Sequence, residues 1–143
     1  MKTILLTLFA LHVVSFTLRA EIDRNQATDI LHRVLSPTTL KREAIAYLSL
    51  APLGTGDKVV PFGDESRTFT ATTSVWFGYI DDDPAAFFSH QVRYVYIDVQ
   101  SGQARVVIQE WWPEVNGVPI FSRDAVKARP ELRVFSTRDE RPN

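Results

Sequence analysis

The residues best suited to acid–base or metal chemistry lie in one short stretch, residues 81–90. Asp81, Asp82 and Asp83 are consecutive, and carboxylate oxygens are ligands that calcium and magnesium prefer. His90 follows them, and its imidazole titrates near neutral pH, as a general acid or base must. A small hydrolase that pairs His90 with these carboxylates, Asp82 among them, or with Glu110 is therefore one hypothesis for this chain.

Each of these candidates also has a simpler structural interpretation. Consecutive residues seldom converge on one ion, and the spaced D-x-[DN]-x-[DN]-G pattern of calcium loops is absent, so Asp81 and Asp83 fit a solvated acidic turn before Pro84. Ser89 directly precedes His90, but catalytic triads are assembled in space and not by adjacency. The motifs G-x-S-x-G, Walker A, H-E-x-x-H and G-x-G-x-x-G do not occur. The sequence thus favours a protein that is not an enzyme, and it predicts no metal and no cofactor.

The most unusual feature of the composition is the adjacent pair Trp111 and Trp112. Neighbouring residues of a strand point to opposite faces, so one indole can enter the core while the other faces outward. Aromatic side chains dominate the energetics of many interfaces, which makes an outward-facing cluster a candidate recognition surface for a protein, a peptide or a carbohydrate. An ordinary aromatic core is the alternative interpretation. The residues proposed to extend the surface are Trp76, Tyr94 and Tyr96, together with Phe77, Tyr79, Phe87 and Phe88.

The elements that must position these residues begin with a helix. Residues 23–35 place apolar side chains at helical spacing, and Asp23 with Gln26 matches a variant of the capping box. The Ser-Pro pair that follows is predicted to end this helix, because the residue before proline disfavours helical backbone angles. Residues 38–50 fit either a helix or a strand, and we favour a short helix that starts near Thr39.

Strands dominate the middle of the chain. Residues 58–62 are predicted to form a short strand. Pro61 suits a strand at the edge of a sheet, because proline has no backbone N–H to donate. Residues 68–80 are rich in threonine and aromatic side chains and alternate at period two. This pattern predicts one long strand, with Gly78 as the place where it would break.

A hairpin is the clearest local feature. Residues 92–99 and 104–112 are two β-rich runs joined by Gln-Ser-Gly-Gln, in which Gly102 would supply a positive φ. Asn116-Gly117 is a second turn of this kind. The predicted fold is therefore α+β, with one or two N-terminal helices packed on an antiparallel sheet of four or five strands.

The hairpin also carries a recurring turn pattern. Residues 93–104 contain the turn "D-x-x-[ST]-G", formed by Asp98, Ser101 and Gly102. This run resembles the hairpin of PepSY-type and related propeptide domains, in which the turn joins two strands after an N-terminal helix. The resemblance implies a small secreted module that binds or inhibits a partner, often a protease, and that has no catalytic residues of its own.

The first twenty residues predict export. A positive charge precedes an apolar run over residues 4–16, which is too short to span a bilayer, and Ala20 suits the position before a cleavage site. We therefore predict a signal peptide over 1–20, a single domain over 21–136 and a disordered tail over 137–143. The expected location is extracellular or periplasmic, with no integral membrane segment after cleavage.

Composition narrows the function further. The chain has no cysteine, which excludes disulfides, thiolate nucleophiles and Cys-ligated metals. Without residues 1–20 the chain has fourteen basic and seventeen acidic residues, a formal charge of −3, so nucleic acid is not an expected partner. The leading prediction is a secreted, non-enzymatic module that binds another protein or a peptide through an aromatic sheet face, with peptidase inhibition as one version. A small hydrolase and a structural envelope protein are the alternatives.

Overall fold

The computed structural model describes residues 20–35 and 43–137. The predicted signal peptide up to residue 19, the predicted helix start near Thr39, and tail residues 138–143 lie outside the described residues. Within the described ranges, no helix has the length and apolar character needed to cross a membrane. The helices and strands are α1 Arg24–Leu35, β1 Ile45–Leu48, β2 Lys58–Pro61, β3 Phe69–Thr70, β4 Val75–Asp81, β5 Val92–Asp98, β6 Ala104–Gln109, β7 Pro113–Val115, α2 Arg123–Ala128 and β8 Arg133–Ser136.

The predicted first helix is confirmed as α1. Its capping box forms as expected, because Asp23 N donates to Gln26 Oε1 at 2.9 Å and Gln26 N donates to Asp23 Oδ1 at 2.8 Å. Ala27, Leu31 and Leu35 are buried along one side of the helix. This apolar stripe packs α1 onto one face of the larger sheet.

The larger sheet has five antiparallel strands in the order β6-β5-β4-β1-β8. The prediction of a helix within residues 38–50 is wrong for Ile45–Leu48, which form strand β1. Burial alternates along it, with Ala46 and Leu48 packed on the α1 side and Tyr47 packed on the other side. Pairing with β4 and β8 on its two edges selects the strand, a choice that periodicity alone leaves open.

The long strand predicted over residues 68–80 is in fact two strands that belong to different sheets. β3 pairs with β2 in a three-stranded sheet of order β3-β2-β7, whereas β4 lies inside the five-stranded sheet. Residues 71–74 connect the two, and at their start Ala71 N donates to Asp57 O at 2.9 Å. Of these four connecting residues only Ala71 is buried, in the core that both sheets share, whereas residues 72–74 are exposed.

Gly78 does not interrupt the strand, contrary to the prediction, and it lies in the middle of β4. It is paired with Leu48 of β1 and with Val95 of β5. A Cβ at this position would lie 2.8 Å from Leu31 Cδ1. The glycine therefore allows α1 to approach the sheet closely at this point.

The three-stranded sheet corrects the edge prediction for residues 58–62. β2 is its central strand, but β3 pairs only with Lys58 and Val59, so β3 does not reach Pro61. Pro61 lies opposite Pro113 of β7. Neither proline has a backbone N–H, so the residue pair at this end of the β2–β7 ladder contains no hydrogen-bond donor.

Both predicted turns are confirmed. Gly102 has a φ of 71°, and Asn116 and Gly117 have φ values of 50° and 79°. The φ values of Asn116 and Gly117 are those of a hairpin turn with two left-handed residues, for which Asn-Gly is the preferred pair. β6 ends at Gln109 and not at residue 112 as predicted, so the tryptophan pair lies in the connection to β7.

The fold class is α+β as predicted, but its arrangement differs from the expectation. Among the described residues one helix precedes the strands, α2 follows β7, and the strands form two antiparallel sheets of five and three strands. α1 covers one face of the five-stranded sheet, and the smaller sheet lies with α2 against the other face. Neither α2 nor β8 was predicted, since residues 123–136 are charged and contain a proline.

Candidate functional site

The face of the five-stranded sheet opposite α1 carries a cleft of about 690 Å³. Tyr79 of β4, Val92 of β5 and Phe121 line it together. The loop between β4 and β5, the connection between β6 and β7, and the start of α2 supply the remaining lining. The lining also includes Asp81 at the end of β4 and, from these three segments, Phe87, Phe88, Ser89, His90, Glu110, Trp111, Trp112, Ser122 and Arg123.

The tryptophan pair forms one aromatic border of the cleft. Trp111 and Trp112 pack edge to face, with ring centroids 5.5 Å apart and an interplanar angle of 87°. Phe62 stacks on Trp112 at 4.8 Å, and its N–H donates to the Trp112 carbonyl at 3.0 Å. Trp112 keeps 46% of its surface exposed, whereas Trp111 is half-buried. The prediction placed this pair on a strand with one indole in the core, but the pair lies outside the strands and neither indole enters the core.

The loop between β4 and β5 supplies two further aromatic residues. Phe87 is 100% exposed and Phe88 is 79% exposed, and both line the cleft. Exposed phenylalanines of this kind are costly in water unless another surface covers them. This loop is therefore the most prominent apolar feature of the described surface.

Five residues predicted for the aromatic surface lie in the core instead, and two of them are Phe77 and Tyr79 of β4. Trp76 packs on the α1 face, and its Nε1–H donates to the Ile22 carbonyl at 3.1 Å. Tyr94 and Tyr96 are buried on the opposite face, where Tyr96 stacks on Phe69 at 3.9 Å. Strand register fixes these directions, and the sequence pattern did not resolve them.

Although it is buried, Tyr94 forms a hydrogen bond with the tryptophan border of the cleft. Its hydroxyl donates to the Trp111 carbonyl at 2.7 Å. Burial raises the pKa of Tyr94 far above its usual range, with smaller contributions from Tyr79 and Tyr96, so the phenol keeps its proton and remains a donor. The tryptophan border is thus attached to the sheet through a hydrogen bond from a core tyrosine.

His90 and Asp81 are brought together at the base of the β4–β5 loop. His90 Nε2 lies 2.7 Å from Asp81 Oδ1, and His90 Nδ1 lies 3.0 Å from the Phe88 carbonyl oxygen. Burial lowers the pKa of His90, but the bonds to Phe88 and Asp81 and the negative charges of Asp81 and Asp83 outweigh burial and raise it overall. Both ring nitrogens therefore face acceptors, and neither is free to take a proton from a substrate.

Asp82, the carboxylate proposed as a catalytic partner, is occupied elsewhere. Arg93 Nε donates to Asp82 Oδ2 at 2.8 Å and Arg93 Nη2 donates to Asp82 Oδ1 at 2.6 Å. Arg93 is buried, and its Nη1 also donates to the Val34 carbonyl at the end of α1 at 3.1 Å. This bidentate pair ties the start of the loop to the helix side of the sheet.

The remaining candidates do not assemble a metal site. Asp83 is exposed, and its backbone N–H donates to Asp81 Oδ1 at 3.0 Å, so the two residues form a local turn. Within residues 20–35 and 43–137, no three His, Cys, Asp or Glu side chains are arranged to hold a metal ion. Glu110 is exposed and lines the same cleft as His90, but the hydrogen bonds of His90 go to Asp81 and Phe88.

Sequence reasoning missed several parts of the site. Phe62 follows the β2 strand and precedes a turn, and Phe121 and Arg123 precede or begin a helix that was not predicted. The one available indication was Ser122, which caps α2 by accepting from Ala125 N. No model of a protein family, no curated protein and no solved structure matches this chain.

Proposed function

We propose that this protein is an exported, non-enzymatic binding module whose cleft receives an apolar segment of a partner protein. The observation that carries the proposal is the set of exposed aromatic side chains that two separate segments bring to one cleft. Phe87 and Phe88 come from the β4–β5 loop, and Trp112, on which Phe62 stacks, comes from the β6–β7 connection. Aromatic clusters beside a concave surface are typical of interaction hot spots.

The charged residues at the cleft suit a protein partner. Glu110 and Arg123 are both exposed and both line it, so opposite charges surround an apolar centre. An apolar centre with a polar rim is the usual anatomy of a protein interface. An extended segment that inserts one or two large apolar side chains would bury the exposed phenyl and indole surface and leave its polar groups at the rim.

The tryptophan border is held in place before any partner arrives. Trp111 is anchored by the Tyr94 hydroxyl, and Trp112 is anchored by stacking and by the Phe62 N–H. A surface that is ordered in advance loses less conformational entropy when it binds. This part of the cleft therefore acts as the rigid half of the binding site.

A small hydrolase is the second candidate, favoured by the contact between His90 and Asp81. A general base needs a nitrogen lone pair directed at the substrate, and here both ring nitrogens are directed at protein oxygens. Catalysis would require the loop to rearrange first. Turnover of peptide or ester substrates that disappears in His90→Gln while binding persists would favour the hydrolase.

Export and the resemblance to propeptide-type domains belong to the same proposal. A secreted inhibitor or propeptide needs a surface that holds a peptide-like segment without cleaving it, and an aromatic cleft without a free base meets that need. Detection of the mature protein outside the cytoplasm, with its N-terminus at Glu21, is the expected result for export. A protein that stays in the cytoplasm would contradict this part of the proposal.

A displayed library of random peptides tests the binding site directly. We expect the purified protein to enrich peptides with aromatic or large aliphatic residues, and Trp112→Ala and Phe88→Ala to weaken their binding at least tenfold, the loss expected for one interface hot spot. Ile108→Ala is the matched control, because Ile108 is 48% exposed and pairs with Arg93 on the α1 side of the sheet. Equal binding by all three folded variants would reject this cleft.

A further inference from the structure

We propose that His90 is a pH-dependent latch: its protonated form holds the loop that carries Phe87 and Phe88, and its neutral form loosens that loop. The inference rests on the proposed binding function for its biological meaning. The latch itself is a property of the free protein and is tested without any partner.

The latch sits where the loop both leaves and rejoins the sheet. Asp81 is the last residue of β4, and Val92, its cross-strand partner, is the first residue of β5. His90 reaches back from the end of the loop to Asp81 with one ring nitrogen and to the Phe88 carbonyl with the other. A single ring thus joins the base of the loop to its aromatic tip.

Protonation decides how many of these two contacts are hydrogen bonds. An imidazolium carries two N–H groups and can donate to the Asp81 carboxylate and to the Phe88 carbonyl together. A neutral imidazole carries one N–H, so its other nitrogen would direct a lone pair at an oxygen 2.7 Å or 3.0 Å away. The neutral ring must therefore give up one contact.

The charges around His90 favour the protonated form. Asp81 and Asp83 face the ring from the end of β4 and from the loop, and they help to raise the pKa of His90 above its ordinary value. Asp82 is paired with Arg93, so its charge is compensated. The other titratable or charged groups that line the cleft are Tyr79 from β4, which stays protonated, Glu110 from the β6–β7 connection and Arg123 from α2.

The sign of the effect follows from the raised pKa. The latch contributes its full stability to the loop when the pH is below the pKa of an unfolded histidine, about 6.5. This stability is lost as the pH rises through the higher pKa of His90 in the folded protein. Below that range Phe87 and Phe88 are presented on an ordered loop. Above it the loop gains freedom, and a partner must order it again on binding, so affinity falls.

Hydrogen exchange across the loop, measured by mass spectrometry between pH 5 and pH 8, tests the latch. Intrinsic exchange depends on pH, so each rate is compared with that of His90→Gln at the same pH. We expect peptides from residues 83–90 to exchange about fivefold more slowly in the wild type at low pH, the effect of one hydrogen bond. This ratio should approach one as His90 loses its proton.

Titration of the His90 ring by NMR supplies the pH scale. Asp81→Asn keeps an acceptor but removes the charge, so it should shift the His90 titration to lower pH and move the exchange transition with it. A wild-type to His90→Gln ratio that stays constant from pH 5 to pH 8 would overturn the latch. So would an exchange transition that does not follow the His90 titration. Failure of peptide binding would leave both measurements unaffected, so the two proposals fail separately.

Discussion

Removal of the Tyr94 hydroxyl is the most direct test of how the sheet supports the cleft. Tyr94→Phe deletes one oxygen and leaves the ring in place, so the aromatic contact with Phe77, 5.6 Å between centroids, is retained. The lost interaction is the 2.7 Å hydrogen bond to the Trp111 carbonyl. The substitution therefore separates the attachment of the tryptophan border from the packing of the core.

The expected cost follows from the surroundings of the two groups. A hydrogen bond of this kind contributes about 1 kcal/mol, and an acceptor left unpaired in a dry interior adds about 1–3 kcal/mol. This hydrogen bond is only partly buried, so the second contribution stays small. We expect a loss of about 1 kcal/mol in the free energy of unfolding, which corresponds to a Tm lower by roughly 4 °C for a domain of this size.

Urea unfolding followed by far-ultraviolet circular dichroism measures this loss. Tyr96→Phe is the control, because Tyr96 lies two residues along the same strand and is stacked in the same core. Peptide binding to the cleft should weaken in Tyr94→Phe and remain unchanged in the control. A Tyr94→Phe variant that matches the wild type in both stability and binding would refute the idea that this bond positions the tryptophan border.

Three further predictions concern the rest of the fold. Arg93→Leu should lower the free energy of unfolding by about 3 kcal/mol in urea titrations, because it leaves Asp82 without its buried partner. Gly78→Ala should cost about 1–2 kcal/mol, since its Cβ would lie 2.8 Å from Leu31 Cδ1, and the double variant with Leu31→Ala should lose less than the two single losses together. Burial raises the pKa of Tyr79, as of Tyr94, so stability should fall once the pH exceeds about 10, and absorbance at 295 nm should show these phenols ionising only as the protein unfolds.

Each of these three predictions has an outcome that would contradict it. An Arg93→Leu variant as stable as the wild type would mean that the ion pair is not needed to hold the loop start. Strictly additive losses for positions 78 and 31 would show that α1 does not press on the sheet there. Buried tyrosines that ionise at pH 10 in the folded state would contradict their burial.

The parts of the fold that local chemistry determines were predictable from the sequence. The capping box at Asp23, the left-handed Gly102 and the Asn116-Gly117 turn each depend on a few neighbouring residues, and each is confirmed. The class α+β also follows from periodicity. The residues of the tryptophan border could be named from composition, although Phe62 was not among them.

The parts that depend on distant pairing were not predictable. β1 is a strand because β4 and β8 flank it, and the chain changes sheets near residue 71 although its alternating pattern continues. Gly78 looked like a break because its function, room for Leu31, involves a helix far away in sequence. The directions of Trp76 and Tyr94 likewise depend on the register of β4 with β5, which no local pattern encodes.

The position of β8 in the sheet has a consequence for the order in which the chain can fold during synthesis. β1 lies early in the domain, yet one of its edges stays open until β8 is available, and the Thr137 N–H then donates to the Ala44 carbonyl at 3.0 Å. A nascent chain that has not yet released residues 133–137 from the ribosome therefore lacks the strand that closes this edge. If the protein is exported as an unfolded chain, as we propose, the sheet cannot be completed until nearly all of the domain has crossed the membrane.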